Sequence, residues 1–151
     1  MEEFNKSLNE LLVDTFNSIL KVEEKMIHSM GKYDLSISEL HLLETVGKGN
    51  YEGKTISEIA KKLDITLPSV TIAVNKLVNK GYLEKKKSEE DARSVLIFLT
   101  EPGVKIDRMH QRFHEQMVSS IANTMDDDEK TVLINGISKL SQFFNQKNAN
   151  Q

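Results

Sequence analysis

A chain of 151 residues can bury one hydrophobic core without covalent staples, so a single domain over 1–151 is expected. The absence of cysteine excludes a disulfide framework and thiolate metal ligation, and it fits a reducing, cytoplasmic location. The formal charge of −3 hides an asymmetry: Lys54 to Arg93 holds nine Lys or Arg against six Asp or Glu, and the rest of the chain eleven against seventeen. A basic middle on an acidic chain suits a local nucleic-acid footprint, although an unevenly charged solvated surface reads the same by charge alone.

Phe4, Leu8, Leu11, Leu12, Phe16, Ile19, Val22, Met26 and Met30 recur at three and four residues. This predicts one long helix with an apolar stripe, ending at Gly31. The acidic opening, Met1 to Leu12, does not read as a signal peptide, and the longest apolar run, Val95 to Leu99, is too short to cross a bilayer; no membrane partner is expected.

Ser36 with Glu39 reads as a capping box for a helix from Ile37 to about Val46, followed by a glycine-bearing loop, Lys48 to Gly53. A second box, Thr55 with Glu58, opens a short helix to about Leu63. After a tight joint at Asp64-Ile65, Thr66 caps a third helix with Pro68 in its first turn, Val70, Val74 and Leu77 facing inward, and Gly81 at its end. Tyr82 to Lys87 and Ser94 to Thr100 are predicted strands of a hairpin whose turn is Ser88 to Arg93. Glu101-Pro102-Gly103 opens a helix carrying Ile106, Met109, Phe113, Met117 and Ile121. Asp126 caps a last helix carrying Leu133, Ile137, Leu140 and Phe144, and Asn145 to Gln151 is expected to fray.

The predicted fold is mainly α with a small β-hairpin wing: a winged helix-turn-helix. Enzyme chemistry is not expected. The chain has no cysteine nucleophile, no glycine-rich phosphate loop and no Gly-x-Ser-x-Gly elbow, and its acidic run Asp126 to Glu129 suits a helix N-terminus. Helix, tight joint, helix and hairpin instead suit double-stranded DNA, because a helix fits the major groove with its first residues toward the bases. The candidate DNA-binding residues are Thr55, Thr66, Leu67, Pro68, Ser69, Thr71 and Ile72, with Asn75 and Lys76 further along the helix. Lys85, Lys86, Lys87, Asp91 and Arg93 lie on the wing.

Val70-Thr71, Leu77, Gly81-Tyr82-Leu83, Asp91-Ala92-Arg93, Leu99-Thr100 and Gly103 resemble the MarR family of regulators, and the resemblance runs along essentially the whole chain. It implies an intertwined homodimer, with 1–31 and 101–146 as dimerisation helices and 36–100 as the DNA-binding part, on a pseudo-palindromic site. It also implies that Asp91 steadies Arg93, which enters the minor groove. Many members carry Arg where this chain has Ile72; the loss of that guanine contact leads us to expect an AT-rich operator, with Ile72 on thymine methyls.

Ile37-Ser38-Glu39-Leu40-His41 through Val46-Gly47, the recognition helix with Ile72 in place of Arg, and Met109 to Val118 are together similar to the family branch that represses fatty-acid synthesis. That branch implies long-chain acyl-acyl carrier protein as corepressor, with Met26, Met30, Met109, Phe113 and Met117 as candidate acyl-chain contacts, since flexible Met suits a variable lipid tail. The same stripe also reads as core or dimer interface. His110 and His114, at i and i+4, share a helical face and could hold zinc with His41 and Glu23 or Glu24, as in zinc-sensing members; hydrogen-bonded structural histidines are the competing reading. No bound cofactor or resident metal is expected. A small aromatic ligand is another possible effector, and a protein-binding winged helix is the alternative class of function.

Overall fold

The structure, a computed structural model, describes residues 1–31, 33–91 and 93–149. Along these residues run α1 (Glu2–Ser29), α2 (Ile37–Gly47), α3 (Ile56–Leu63), α4 (Leu67–Asn79), β1 (Leu83–Lys87), β2 (Val95–Leu99), α5 (Glu101–Ala122) and α6 (Asp127–Ala149). They form two compact units, residues 1–108 and the part from Met109 onward, and the division falls within α5.

In the first unit, α2, α3, α4 and the hairpin enclose a core of Leu40, Leu43, Val46, Ile59, Val70, Val74, Leu77, Leu83 and Ile97, with Ile106 of α5. Helix starts are fixed by their caps. Ser36 Oγ accepts the Glu39 N–H at 3.2 Å while the Glu39 carboxylate accepts the Ser36 N–H at 2.8 Å. Thr55 and Glu58 repeat the exchange at 3.2 and 2.7 Å. At the joint, Asp64 is left-handed (φ 54°), a conformation a short polar side chain tolerates.

The hairpin is antiparallel in the register Leu83↔Leu99 to Lys87↔Val95. The sheet extends beyond the predicted strands: Lys54 exchanges both backbone hydrogen bonds with Ile97 at 2.9 and 2.8 Å. The β2–α5 corner turns on Thr100, whose hydroxyl donates to Gly81 O at 2.6 Å and accepts the Gly103 N–H at 3.2 Å. Gly103 packs so closely on the residue preceding β1 that a Cβ there would lie 2.2 Å from Tyr82 O.

The predicted α1 stripe exists but is covered only at its end. Ile27 is buried and Met26 and Met30 pack on the core, whereas Phe4, Leu11, Phe16 and Val22 are exposed.

In the second unit, Val132, Leu133, Ile134, Ile137, Phe143 and Phe144 of α6 are likewise exposed. Asp126 and Glu129 form a third reciprocal cap, 2.9 Å each way. The expected fraying from Asn145 is corrected: α6 continues to Ala149. Lys147 stands in its last turn, where a cation complements the helix dipole, and lies 5.8 Å from the Phe143 ring centroid. Asn150 and Gln151 fall outside the described residues.

Candidate nucleic-acid interface

The cap of α4 organises the reading end. Thr66 Oγ1 accepts the Ser69 N–H at 3.4 Å and lies 2.8 Å from Ser69 Oγ. Pro68 sits in the first turn, where no N–H is required. The inward stripe Val70, Val74 and Leu77 is fully buried. This turns Thr66, Leu67, Pro68, Ser69, Thr71, Ile72, Asn75 and Lys76 outward. Leu67 is 51% and Ile72 70% exposed, an apolar tip on an otherwise polar helix end. The hydroxyls at this helix start are engaged locally: Thr71 Oγ1 donates to Leu67 O at 3.0 Å. They remain acceptors, and donating to DNA requires exchanging these bonds. Thr55 spends its hydroxyl on the Glu58 carboxylate at 3.0 Å; the Thr55 N–H first, and this hydroxyl second, hold Glu58 below its ordinary titration range.

On the wing, Lys85, Lys86, Lys87 and Arg93 are exposed. Lys86 pairs with Glu84 at 2.7 Å and lies 5.2 Å from the Phe98 ring centroid. Lys85 Nζ donates to Asn75 Oδ1 at 2.5 Å, which brings a wing residue and a recognition-helix residue together. Asp91 shapes the turn: Oδ1 accepts the Arg93 backbone N–H at 2.9 Å and Oδ2 accepts the Ser94 hydroxyl at 3.2 Å. Ala92 of the Asp-Ala-Arg motif lies outside the described residues.

Lys76 does not stand alone as a phosphate contact. Its ammonium is 3.1 Å from Glu39 Oε1. Lys80 reaches the same carboxylate at 3.1 Å, and also the carbonyl and, at 3.6 Å, the carboxylate of Asp34. Burial alone would raise the Glu39 carboxyl, but the Ser36 N–H and the two lysines outweigh it and hold it below the usual range. Burial likewise opposes the Lys80 charge, and Glu39 and Asp34 overcome it, raising Lys80 above its ordinary value. Sequence reasoning misses this cluster because the capping box already accounts for Glu39, and no helical periodicity links residues 41 apart.

The candidate effector residues fall in both units. In the first, His41 Nε2 lies 3.6 Å from Glu23 Oε1. A cleft of about 560 Å³ opens at the end of α1, lined by Glu24, His28, Asp34, Ser36 and Ser38 among others; Met26 and Met30 are not among its described lining residues. In the second, His110 and His114 bring their Nε2 atoms within 2.8 Å. The Phe113 ring lies 5.3 Å from that of His114, and Met109 and Met117 are half-buried.

A capped helix pair with a one-residue left-handed joint, followed by a basic hairpin, defines a winged helix-turn-helix, and residues 33–94 match the MarR family profile. The chain belongs to the MarR family of transcription regulators. It is similar to FabT of Streptococcus pneumoniae, solved in complex with DNA, at 38% identity and a TM-score of 0.85, over 93% of this chain and 97% of that one. The HTH-type transcriptional regulator YfiV of Bacillus subtilis strain 168 is 30% identical over 74% of this chain and 68% of its own length. The transcriptional regulator AdcR of Streptococcus pneumoniae strain D39 is 28% identical over 87% of this chain and 88% of its own. Among the described residues no helix is long and apolar enough to cross a membrane.

Proposed function

We propose that this protein is a DNA-binding repressor. It acts as a homodimer on a pseudo-palindromic operator upstream of fatty-acid biosynthesis genes, with long-chain acyl-acyl carrier protein as corepressor. The carrying observation is the pairing of an outward-facing recognition helix with a basic wing in a chain similar, over 93% of its length, to FabT bound to DNA. Lys87 and Arg93 contact the backbone or minor groove, while Leu67 and Ile72 meet thymine methyls. The uncovered stripes of α1 and α6 suit a second copy of the chain. A corepressor must favour the DNA-competent spacing of the two reading heads, because an effector shifts an equilibrium only by its differential affinity for the two states.

The test is fluorescence anisotropy of duplex DNA from upstream of the fatty-acid synthesis genes, with and without long-chain acyl-acyl carrier protein. Tighter binding only with the acylated carrier is the expected result. Binding indifferent to it overturns the corepressor, and no specific binding overturns the gene assignment.

A zinc-responsive regulator is the second reading, favoured by the buried Glu23 carboxylate 3.6 Å from His41 Nε2, a donor pair that could hold one ion. Dialysed protein free of zinc, with DNA affinity unchanged on adding it, rejects that reading.

A further inference from the structure

The geometry points to Glu39 as a positioning residue for DNA reading: through Lys76 and Lys80 its carboxylate fixes the presentation angle of the recognition helix. This rests on the DNA-binding reading above.

The apolar stripe of α4 fixes which face is buried but is non-directional, and it permits tilt and sliding. The Glu39 cluster supplies direction. The carboxylate is 7% exposed and is itself immobilised by the Ser36 N–H at 2.8 Å, so it is anchored to the first turn of α2. Lys76 of α4 and Lys80, the C-cap residue one helical turn on, close on it from the other side, each at 3.1 Å. Lys80 is also tied to the Asp34 backbone carbonyl. The C-terminal half of α4 is thereby pinned to the start of α2 by charge, while its N-terminal half carries the reading residues Thr66 to Ile72. A buried carboxylate is costly to desolvate, and an apolar replacement often serves stability as well. What the charged cluster adds is a single geometry. The two lysines are also paired within the protein, with Glu39 and Asp34.

The experiment uses full-length protein and a duplex selected by the wild type from a random pool, with a scrambled duplex as the non-specific probe. Glu39→Gln keeps the capping box, which Gln also supports, and removes the charge. The preference for the selected over the scrambled duplex is expected to fall about tenfold, within the range for substitutions that touch neither ligand. Affinity for the scrambled duplex should hold within about twofold, because the sequence-independent term comes from charge elsewhere. Lys80→Met should reproduce the loss, and the double variant should lose no more than either single one. An unchanged preference in Glu39→Gln, a parallel loss on both duplexes, or additive losses in the double variant overturns the inference and leaves DNA binding intact. A wild type that selects no duplex overturns both.

Discussion

The Asp91 carboxylate accepts the backbone N–H of Arg93 at 2.9 Å and, through its other oxygen, the Ser94 hydroxyl at 3.2 Å. With Ser94 N–H on Asp91 O and Ser88 N–H on Ser94 O, each at 2.9 Å, the wing tip is a hydrogen-bonded turn. The family resemblance implies that Asp91 steadies Arg93. In the structure Asp91 holds the main chain of Arg93, and the arginine is exposed.

Arg93→Ala should therefore weaken DNA binding on every sequence tested and lower the slope of log affinity against log salt by about 0.9, the value of one phosphate contact. Asp91→Ala should cost less affinity, and its stability loss should stay within about 1 kcal/mol because the turn is solvated. Anisotropy across a salt series checks both. An unchanged affinity in Arg93→Ala, with the dimer intact by sedimentation, would favour a protein-binding winged helix.

Gly103→Ala should destabilise the fold by about 1–3 kcal/mol, because the added Cβ would lie 2.2 Å from Tyr82 O, a backbone atom that cannot rotate away. Thermal unfolding measures this, and a midpoint equal to wild type would contradict the packing at the β2–α5 corner.

That glycine also shows what is legible in the sequence. The Leu-Thr-x-x-Gly run is visible as a motif, and the structure supplies its physical content: Thr100 closes the corner and Gly103 allows the approach. Local signals are legible throughout, since the Ser36, Thr55, Thr66 and Asp126 caps are each decided within four residues. Links between distant segments are not. The Lys54–Ile97 bridge joins a residue just past a glycine loop to a strand 43 positions on. Lys76 reads as a DNA contact in the sequence and its pairing with Glu39 is not legible there, because side-chain pairing across a core has no period to follow. At the end of α6 a polar composition suggests fraying, while helix continuity needs only the preceding turns and the favourable last-turn lysine.

Acidification should separate Glu39→Gln from wild type. The folded-state carboxyl titrates below its ordinary value of 4.5, so near pH 4.5 the unfolded chain binds more protons than the folded one. The contribution of Glu39 is then fully present well above pH 4.5 and is lost as pH falls through the lower folded value. Urea unfolding at pH 7 and at steps below 4.5 should show wild type and variant converging on the acid side. Glu58, also held low, titrates in both proteins and does not enter the difference. A constant gap down to the acid transition would show that the ion cluster adds no pH-dependent stability.

The uncovered helices give the strongest reason to expect a second copy. Phe4, Leu11 and Phe16 on α1, and Ile134, Ile137 and Phe144 on α6, are all at least half exposed, an arrangement that soluble monomers rarely tolerate as contiguous patches. If these faces bury against a partner chain, wild-type protein sediments as a dimer at micromolar concentration. Phe16→Glu combined with Ile137→Glu should then give a folded monomer, because the winged-helix core of Leu43, Ile59, Val74 and Ile97 shares no residue with the altered faces. That monomer should lose operator affinity far more than non-specific affinity. Two half-sites roughly 34–36 Å apart are read together only when one assembly carries both recognition helices, and a lone reading head forfeits the effective concentration its partner provides. A double variant that remains dimeric would move the interface elsewhere. A monomer that binds the operator as tightly as wild type would mean that one wing and one helix suffice.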